Sequence, residues 1–251
     1  MGIYLRVKPG ACAERVLVAG DPGRITRLAS LLEGATVVTD NRGLLGYTGR
    51  CRGEPVSLQS TGMGCPSMAM VGAELLEYGV RTIVRIGTCS AFGRGVRNGD
   101  LVVVTGSAAA DGTTQSFAEG MPFVAVPDFR LTSALVEAAR ANGLPTHVGP
   151  VVTVDVEPHL STRSTQSWRE HGLLAVEMES AALFYLALRA TGRVPHRVEA
   201  ACVLTVSDGL EGHPDGPQRY LSDAELEAAT DAMHKESHGT NVERPCPERW
   251  P

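Results

Sequence analysis

The sequence predicts a single α/β domain with a mixed, mostly parallel central sheet flanked by helices. Three observations carry this. Strand-like and helix-like stretches alternate along one continuous run. The stretches Val148–Val156 and Val198–Val206 are rich in valine, as strands covered on both faces are. No internal repeat, low-complexity linker or break in composition interrupts the chain before residue 222, and 251 residues suit one domain.

The elements follow in order. Val16-Leu17-Val18 is a short apolar run ending at Gly20 and reads as a buried strand. Arg24 to Leu32 carries Ile25, Leu28, Ala29 and Leu32 at helical spacing and stops at Gly34. Thr36–Thr39, Gly46–Cys51 and Pro55–Ser60 read as short strands around turns. Ser67 to Tyr78 reads as a helix with Met68, Val71, Leu75 and Leu76 on one side. Arg81–Ile86 and Leu101–Thr105 are β-branched strands, and Leu131 to Asn142 is a helix stopped by Gly143 and Pro145. Met178 to Thr191 is a largely apolar helix before Gly192.

Composition excludes several functions. The formal net charge of −5 argues against a nucleic-acid binder, which needs a basic face against phosphates. No apolar run approaches the roughly 18–20 residues that span a bilayer, and the first residues lack the apolar stretch of a secretory signal. Six scattered cysteines form no C-x-x-C pair, have no histidine at zinc-ligand spacing, and read as reduced thiols of a cytoplasmic protein. All seven histidines lie after residue 146. The charge is uneven: residues 222–251 hold seven acids and three bases, a net of −4, which leaves −1 for the first 221.

Four segments carry candidate chemistry. Gly20-Asp21-Pro22-Gly23-Arg24 lies between a strand and a helix. Such a turn offers free amides and the positive end of a helix to an anion, and Arg24 adds a fork of donors matched to phosphate oxygens. It also suits a plain turn with a surface arginine. Arg85-Ile86-Gly87-Thr88-Cys89-Ser90 places an arginine at or near a strand end, where it needs an anionic partner. That partner is a ligand or a structural ion pair, and Thr88 can add a hydroxyl. Val176-Glu177-Met178-Glu179-Ser180 enters an apolar helix. Its carboxylates suit a diol and its methionine a sugar ring, although acids at a helix start are also favoured by the dipole. Leu204-Thr205-Val206-Ser207-Asp208-Gly209 ends a strand where open α/β sheets place ligands. Asp208 there serves as an acid or opens an Asx-turn.

Together, in order and spacing, G-D-P-x-R, R-x-G-T, E-M-E and T-V-S-D resemble the nucleoside phosphorylase family of hexameric purine nucleoside phosphorylase and uridine phosphorylase. Asn41–Gly49, Thr61–Ser67 (which includes Met63) and Asp111–Thr114 match as well, so the resemblance runs from about residue 5 to 211. It implies the fold of that family and reversible phosphorolysis of a nucleoside to a free base and a pentose 1-phosphate. Inorganic phosphate would be the co-substrate, with no metal or organic cofactor. By position, Gly20, Arg24, Arg85 and Thr88 would hold phosphate, and Arg42 would reach the phosphate of a neighbouring subunit. Met63, Glu177, Met178 and Glu179 would hold ribose, with Tyr4 donated across a dimer to its 5′ end. Ser90, Glu157 and Ser207 would face the base. Asp208 would be the general acid, with Arg219, eleven residues on, as its helper. The implied working unit is a dimer-based homo-oligomer, a hexamer in the family's hexameric branch.

Asp208 and the lack of a Gln-x-Arg insertion after Asp155 select the purine branch. Three departures suggest an atypical or 5′-modified purine nucleoside. Tyr4 stands where the family has histidine, Glu157-Pro158-His159 follow Asp155-Val156 where it has an aromatic pair, and Ser90 replaces a glycine. Two competing readings remain. One is a hydrolytic nucleosidase on the same fold, which has no need of Arg24, Arg42 and Arg85. The other is a non-catalytic nucleoside-binding homologue. The domain is expected over residues 1–237, with a short last helix carrying Leu226, Ala229, Ala232 and Met233. Gly239 and three prolines make 238–251 an irregular tail.

Overall fold

The computed structural model describes residues 2–156, 165–210, 213–216, 218–222 and 224–226. The expected last helix beyond 226, the tail 238–251 and Glu157 lie outside them. The elements are β1 (Arg15–Ala19), α1 (Pro22–Ala29), β2 (Glu33–Thr39), β3 (Gly46–Cys51), β4 (Glu54–Ser60), α2 (Gly64–Glu77), β5 (Thr82–Ala91) and β6 (Leu101–Ala110). They continue with α3 (Gly112–Ala118), α4 (Phe129–Ala141), β7 (Thr146–Val154), α5 (Gln166–Glu170), β8 (Ala175–Glu177), α6 (Ser180–Thr191) and β9 (Glu199–Gly209).

The nine strands form one mixed sheet in the order β2-β3-β4-β1-β5-β8-β7-β6-β9, and β9 also pairs with β5. That pairing closes β5, β8, β7, β6 and β9 into a ring, from which β1, β4, β3 and β2 extend. Five pairings are parallel and four antiparallel. The expected α/β domain with a mixed central sheet is present.

Side-chain alternation builds a core on each face of the sheet. Val16 and Val18 of β1 and Val102 and Val104 of β6 pack with Met68 and Leu75 of α2 and Leu183 and Phe184 of α6. Their strand neighbours Ala19, Leu101 and Val103 turn the other way, against Ile25 and Leu28 of α1 and Ala139 of α4.

Element ends depart from expectation for local reasons. Helix α1 begins at Pro22, because the Asp21 carboxylate accepts from the Gly23 and Arg24 amides and proline is suited to the first turn. It ends at Ala29 rather than Leu32, where the amides of Ser30, Leu31 and Leu32 each reach back three residues at 3.1 Å. Strands β5, β6 and β9 run several residues past their last bulky apolar side chains. Pairing within the ring holds small and polar residues such as Ser90 and Asp208 in strand geometry. Arg85 therefore lies within β5, not at its end. The short α3, α5 and β8 have no counterpart in the sequence reading, since three to seven residues show no usable period. Cys12, Cys65, Cys89 and Cys202 are free thiols, whereas Cys51 is disulfide-bonded, against the expectation of six reduced thiols.

The segment before β1 is fastened by Glu74 of α2, a carboxylate 5% exposed. Its Oε1 accepts from the amides of Ile3 and Tyr4, the latter at 2.7 Å, and its Oε2 accepts from Leu5 N at 2.8 Å. The Asn41 side-chain amide donates to Tyr4 O at 2.6 Å. Glu74→Ala strips the acceptors from three amides. It should lower stability by about 1–3 kcal/mol and speed amide exchange at residues 3–5, measured by urea unfolding and hydrogen exchange.

Candidate active site

A cleft of about 790 Å³ opens where β1, β5, β8 and β9 end, a size suited to a small-molecule ligand. Ten of the residues singled out in the sequence line it: Gly20, Met63, Arg24, Arg85, Thr88, Ser90, Glu177, Met178, Glu179 and Ser207.

One end is cationic. A Cβ on Gly20 would meet Gly62 O at 3.0 Å, so the turn after β1 can pass close to the Gly62 loop only as glycine. Arg24, in the first turn of α1, donates from Nη1 to Ile86 O at 3.2 Å, and its buried Nε has no partner among the described residues. Burial, and then the positive charge of Arg85, push the Arg24 guanidinium below its ordinary value. Arg85 is 4% exposed. Its side chain folds back over its own strand, where a Cβ on Gly87 would lie 2.7 Å from Arg85 Nη2. This is a physical reason for R-x-G: only glycine leaves room for the guanidinium two residues upstream.

Two carboxylates answer Arg85. Its Nη2 donates to Glu179 Oε2, and its Nε lies 3.4 Å from Glu177 Oε2. Burial alone would lower Arg85, but Glu179 and Glu177 raise it above the usual guanidinium value. Burial pushes the Glu179 carboxyl up, Arg85 opposes it, and Glu177 adds to it. Glu179 Oε1 also accepts from Gly64 N, at the start of α2, at 2.6 Å.

The E-M-E segment differs from its sequence reading. Glu177 ends β8, and α6 starts only at Ser180, so Glu177 and Glu179 are buried rather than on a solvated helix start. Glu177, expected at the ribose, lines the cleft but is also held by the protein. Its carboxylate accepts from Thr153 Oγ1, Glu179 N, and Ser180 N and Oγ, the last at 2.7 Å. Glu177 anchors the start of α6 and faces Arg85.

The other end is hydroxyl-rich and holds one carboxyl group, that of Asp208. Cys89 pairs with Val206 but Ser90 with Asp208, so Ser207 is an extra residue, a bulge in β9. The bulge brings Ser207 and Asp208 to Ser90 together. Ser90 Oγ and Ser207 Oγ both lie 2.8 Å from Asp208 Oδ1, and Ser207 Oγ also donates to Cys89 O at 3.0 Å. Burial raises the Cys89 thiol, so it stays protonated and is no nucleophile.

Other predicted residues lie elsewhere. Tyr4 and Arg42 are outside this cleft and beside each other, the Arg42 guanidinium carbon 5.9 Å from the Tyr4 ring centre. Arg219 is on the surface, forked onto Glu225 with Nη1 at 2.9 Å and Nη2 at 2.5 Å, and is not brought to Asp208. Tyr220 and Leu226 also line the cleft. Tyr220 was not singled out in the sequence, because it comes from irregular chain after β9 where no period marks an inward side, whereas Leu226 was read only as part of the apolar stripe of the last helix.

Among the described residues, one group has metal-like spacing: Cys65, Asp111 and Asp155, with ligand atoms within 4.8 Å. Burial keeps the Cys65 thiol protonated, and both aspartates bond the start of α3, through Thr114 N and Gly112 N. Among those residues, no helix is long and apolar enough to cross a membrane.

Comparison with known proteins agrees with this geometry. The description of the Phosphorylase superfamily matches residues 14–238. A DeoD-type purine nucleoside phosphorylase of Geobacillus kaustophilus is 38% identical over 216 residues, 84% of this chain and 87% of that protein. One from Myxococcus xanthus is 37% identical over 238 residues, 93% and 97% of the two chains. A guanosine phosphorylase of Halorubrum lacusprofundi is 39% identical over 186 residues, 74% and 77%.

Removing the central cation tests the electrostatics. Arg85→Ala leaves two buried carboxylates unpaired and should cost about 3–5 kcal/mol of stability in urea unfolding. Adding Glu179→Gln to it should recover part of that loss, because one buried charge disappears with it.

Proposed function

The chain belongs to the Phosphorylase superfamily, and from that premise we propose that it cleaves the N-glycosidic bond of a purine nucleoside with phosphate, yielding free base and a pentose 1-phosphate. The observation that carries this is the pair Arg24 and Arg85 in one cleft, whose mutual repulsion an anion relieves, with Ser90 and Ser207, the hydroxyl partners of Asp208, at the opposite end.

Placement in the cleft supports these roles. Gly20, Arg24, Arg85 and Thr88 hold phosphate. Glu179 and Met178 hold the ribose, with Met63 beside them. Breaking the bond builds positive charge on the sugar, which the phosphate beneath it stabilises before one of its oxygens bonds the anomeric carbon. The electron pair of the broken C–N bond goes to the base, which takes a proton supplied by Asp208. The reaction needs no cofactor beyond phosphate as co-substrate. Because Tyr4 and Arg42 lie outside their own cleft, they suit delivery to a neighbour's, in a dimer-based assembly extending to a hexamer in the cytoplasm. Tyr4 in place of a histidine, and Ser90 beside the acid, support an atypical or 5′-modified nucleoside as the preferred substrate.

Base release from inosine, guanosine, adenosine and 5′-modified purine nucleosides should depend strictly on phosphate. Release without phosphate would make the protein a hydrolase, and binding without turnover a non-catalytic homologue. Asp208→Asn should lower kcat by about 10²–10⁴-fold. Faster turnover of guanosine than of every 5′-modified substrate would remove the finer preference alone.

A further inference from the structure

Asp208 is not among the residues that line the cleft, whereas its hydroxyl partners Ser90 and Ser207 both are. The two hydroxyls differ. Ser207 has two acceptors in reach, Cys89 O at 3.0 Å and Asp208 Oδ1 at 2.8 Å, and one proton to give. Ser90 bonds Asp208 alone among the described residues, at 2.8 Å, from the strand position directly opposite. Ser90 thus meets both the acid and the cleft, and its remaining hydrogen-bonding capacity is taken by no backbone or side-chain group among the described residues.

The geometry points to Ser90 as a proton relay, an inference that rests on Asp208 supplying the proton to the leaving base. As the C–N bond breaks and its electron pair enters the base, the Ser90 hydroxyl proton moves to the purine nitrogen. The Asp208 carboxyl proton moves in turn to Ser90 Oγ. The base leaves neutral, Ser90 is again a hydroxyl, and Asp208 is a carboxylate accepting from Ser90, which is the hydrogen bond the structure holds. Asp208 regains its proton from solvent. A separation of 2.8 Å is within the range for direct transfer.

The test compares guanosine with 7-methylguanosine, whose N7 is already alkylated and cationic, so its base leaves without a proton. Ser90→Ala and Ser90→Gly should each lower the guanosine-to-7-methylguanosine turnover ratio at least about tenfold, and Ser90→Thr, which keeps a hydroxyl, should retain most of it. Asp208→Asn should lower the ratio too. If Asp208→Asn leaves it unchanged, Asp208 is not the acid and the underlying reading fails. If Asp208→Asn lowers it while both Ser90 variants leave it unchanged, Asp208 acts directly and the relay is wrong. A positioning role for Ser90 is separated by single-turnover rates of the wild-type enzyme in H₂O–D₂O mixtures. Two protons in flight give a bowed dependence on deuterium fraction, whereas a straight line or no isotope effect overturns the relay. That measurement stands even where a Ser90 variant fails to fold.

Discussion

The buried guanidinium of Arg85 is the interaction on which the rest of the site depends. A charge that far from water is tolerable only when paired and hydrogen-bonded. Its two partners must themselves be fixed. Glu177 is fixed by donors from β7 and the start of α6, and Glu179 by an amide at the start of α2. One cation on β5 therefore ties β7, β8 and two helices into a single arrangement. It also demands an absence: Gly87 carries no side chain because Arg85 lies where one would be.

The closed ring of strands explains how polar ends come together. In an open sheet, β9 would pair with β6 alone. Here it also runs parallel to β5, so the ends of both strands arrive side by side at the cleft. Regular alternation would send Ser207 and Asp208 to opposite faces. The bulge between Val206 and Asp208 breaks the alternation once, where it lets one carboxylate meet two hydroxyls. Helices α2 and α6 meanwhile cover one face of the sheet through Met68, Leu183 and Phe184, so the strand ends are backed by a dense core.

What the sequence revealed divides along physical lines. Strands such as Val16–Val18 and the valine-rich segments were legible because burial on both faces requires apolar runs. The turn between β1 and α1 was legible because glycine breaks a strand and aspartate with proline starts a helix. The strand extensions were not, since Ser90, Asp208 and Gly209 are strand residues by virtue of their ring partners and not by their own preference. Glu177 and Glu179 looked alike in sequence. Their difference lies in which donors the fold brings to each, a long-range fact that spacing does not encode. Tyr220 was missed because irregular chain has no periodicity to read, and Arg219 met Glu225 because a surface arginine takes the nearest carboxylate.

Local charge balance gives the proposed assembly its sense. Within one chain, Arg24 and Arg85 carry two positive charges into the cleft, and Glu177 and Glu179 carry two negative ones. Arg85 is already engaged by both acids, which leaves Arg24, whose buried Nε has no hydrogen-bond partner among the described residues, more open to an anion. A phosphate dianion set beside one available guanidinium, with two carboxylates behind, would be under-neutralised. The missing charge is of the kind that Arg42 holds on the surface. It adopts a left-handed backbone at φ 61°, uncommon for a residue other than glycine, and rests over Tyr4 outside its own cleft. Strain of that sort persists where surrounding contacts impose it, and the Asn41 and Glu74 bonds to residues 3–5 fix the adjoining segment. In the proposed assembly two chains exchanging Arg42 would each complete the charge balance that neither completes alone, and the near-neutral body of this protein would then bind its anion through arginines placed one by one, not through overall charge.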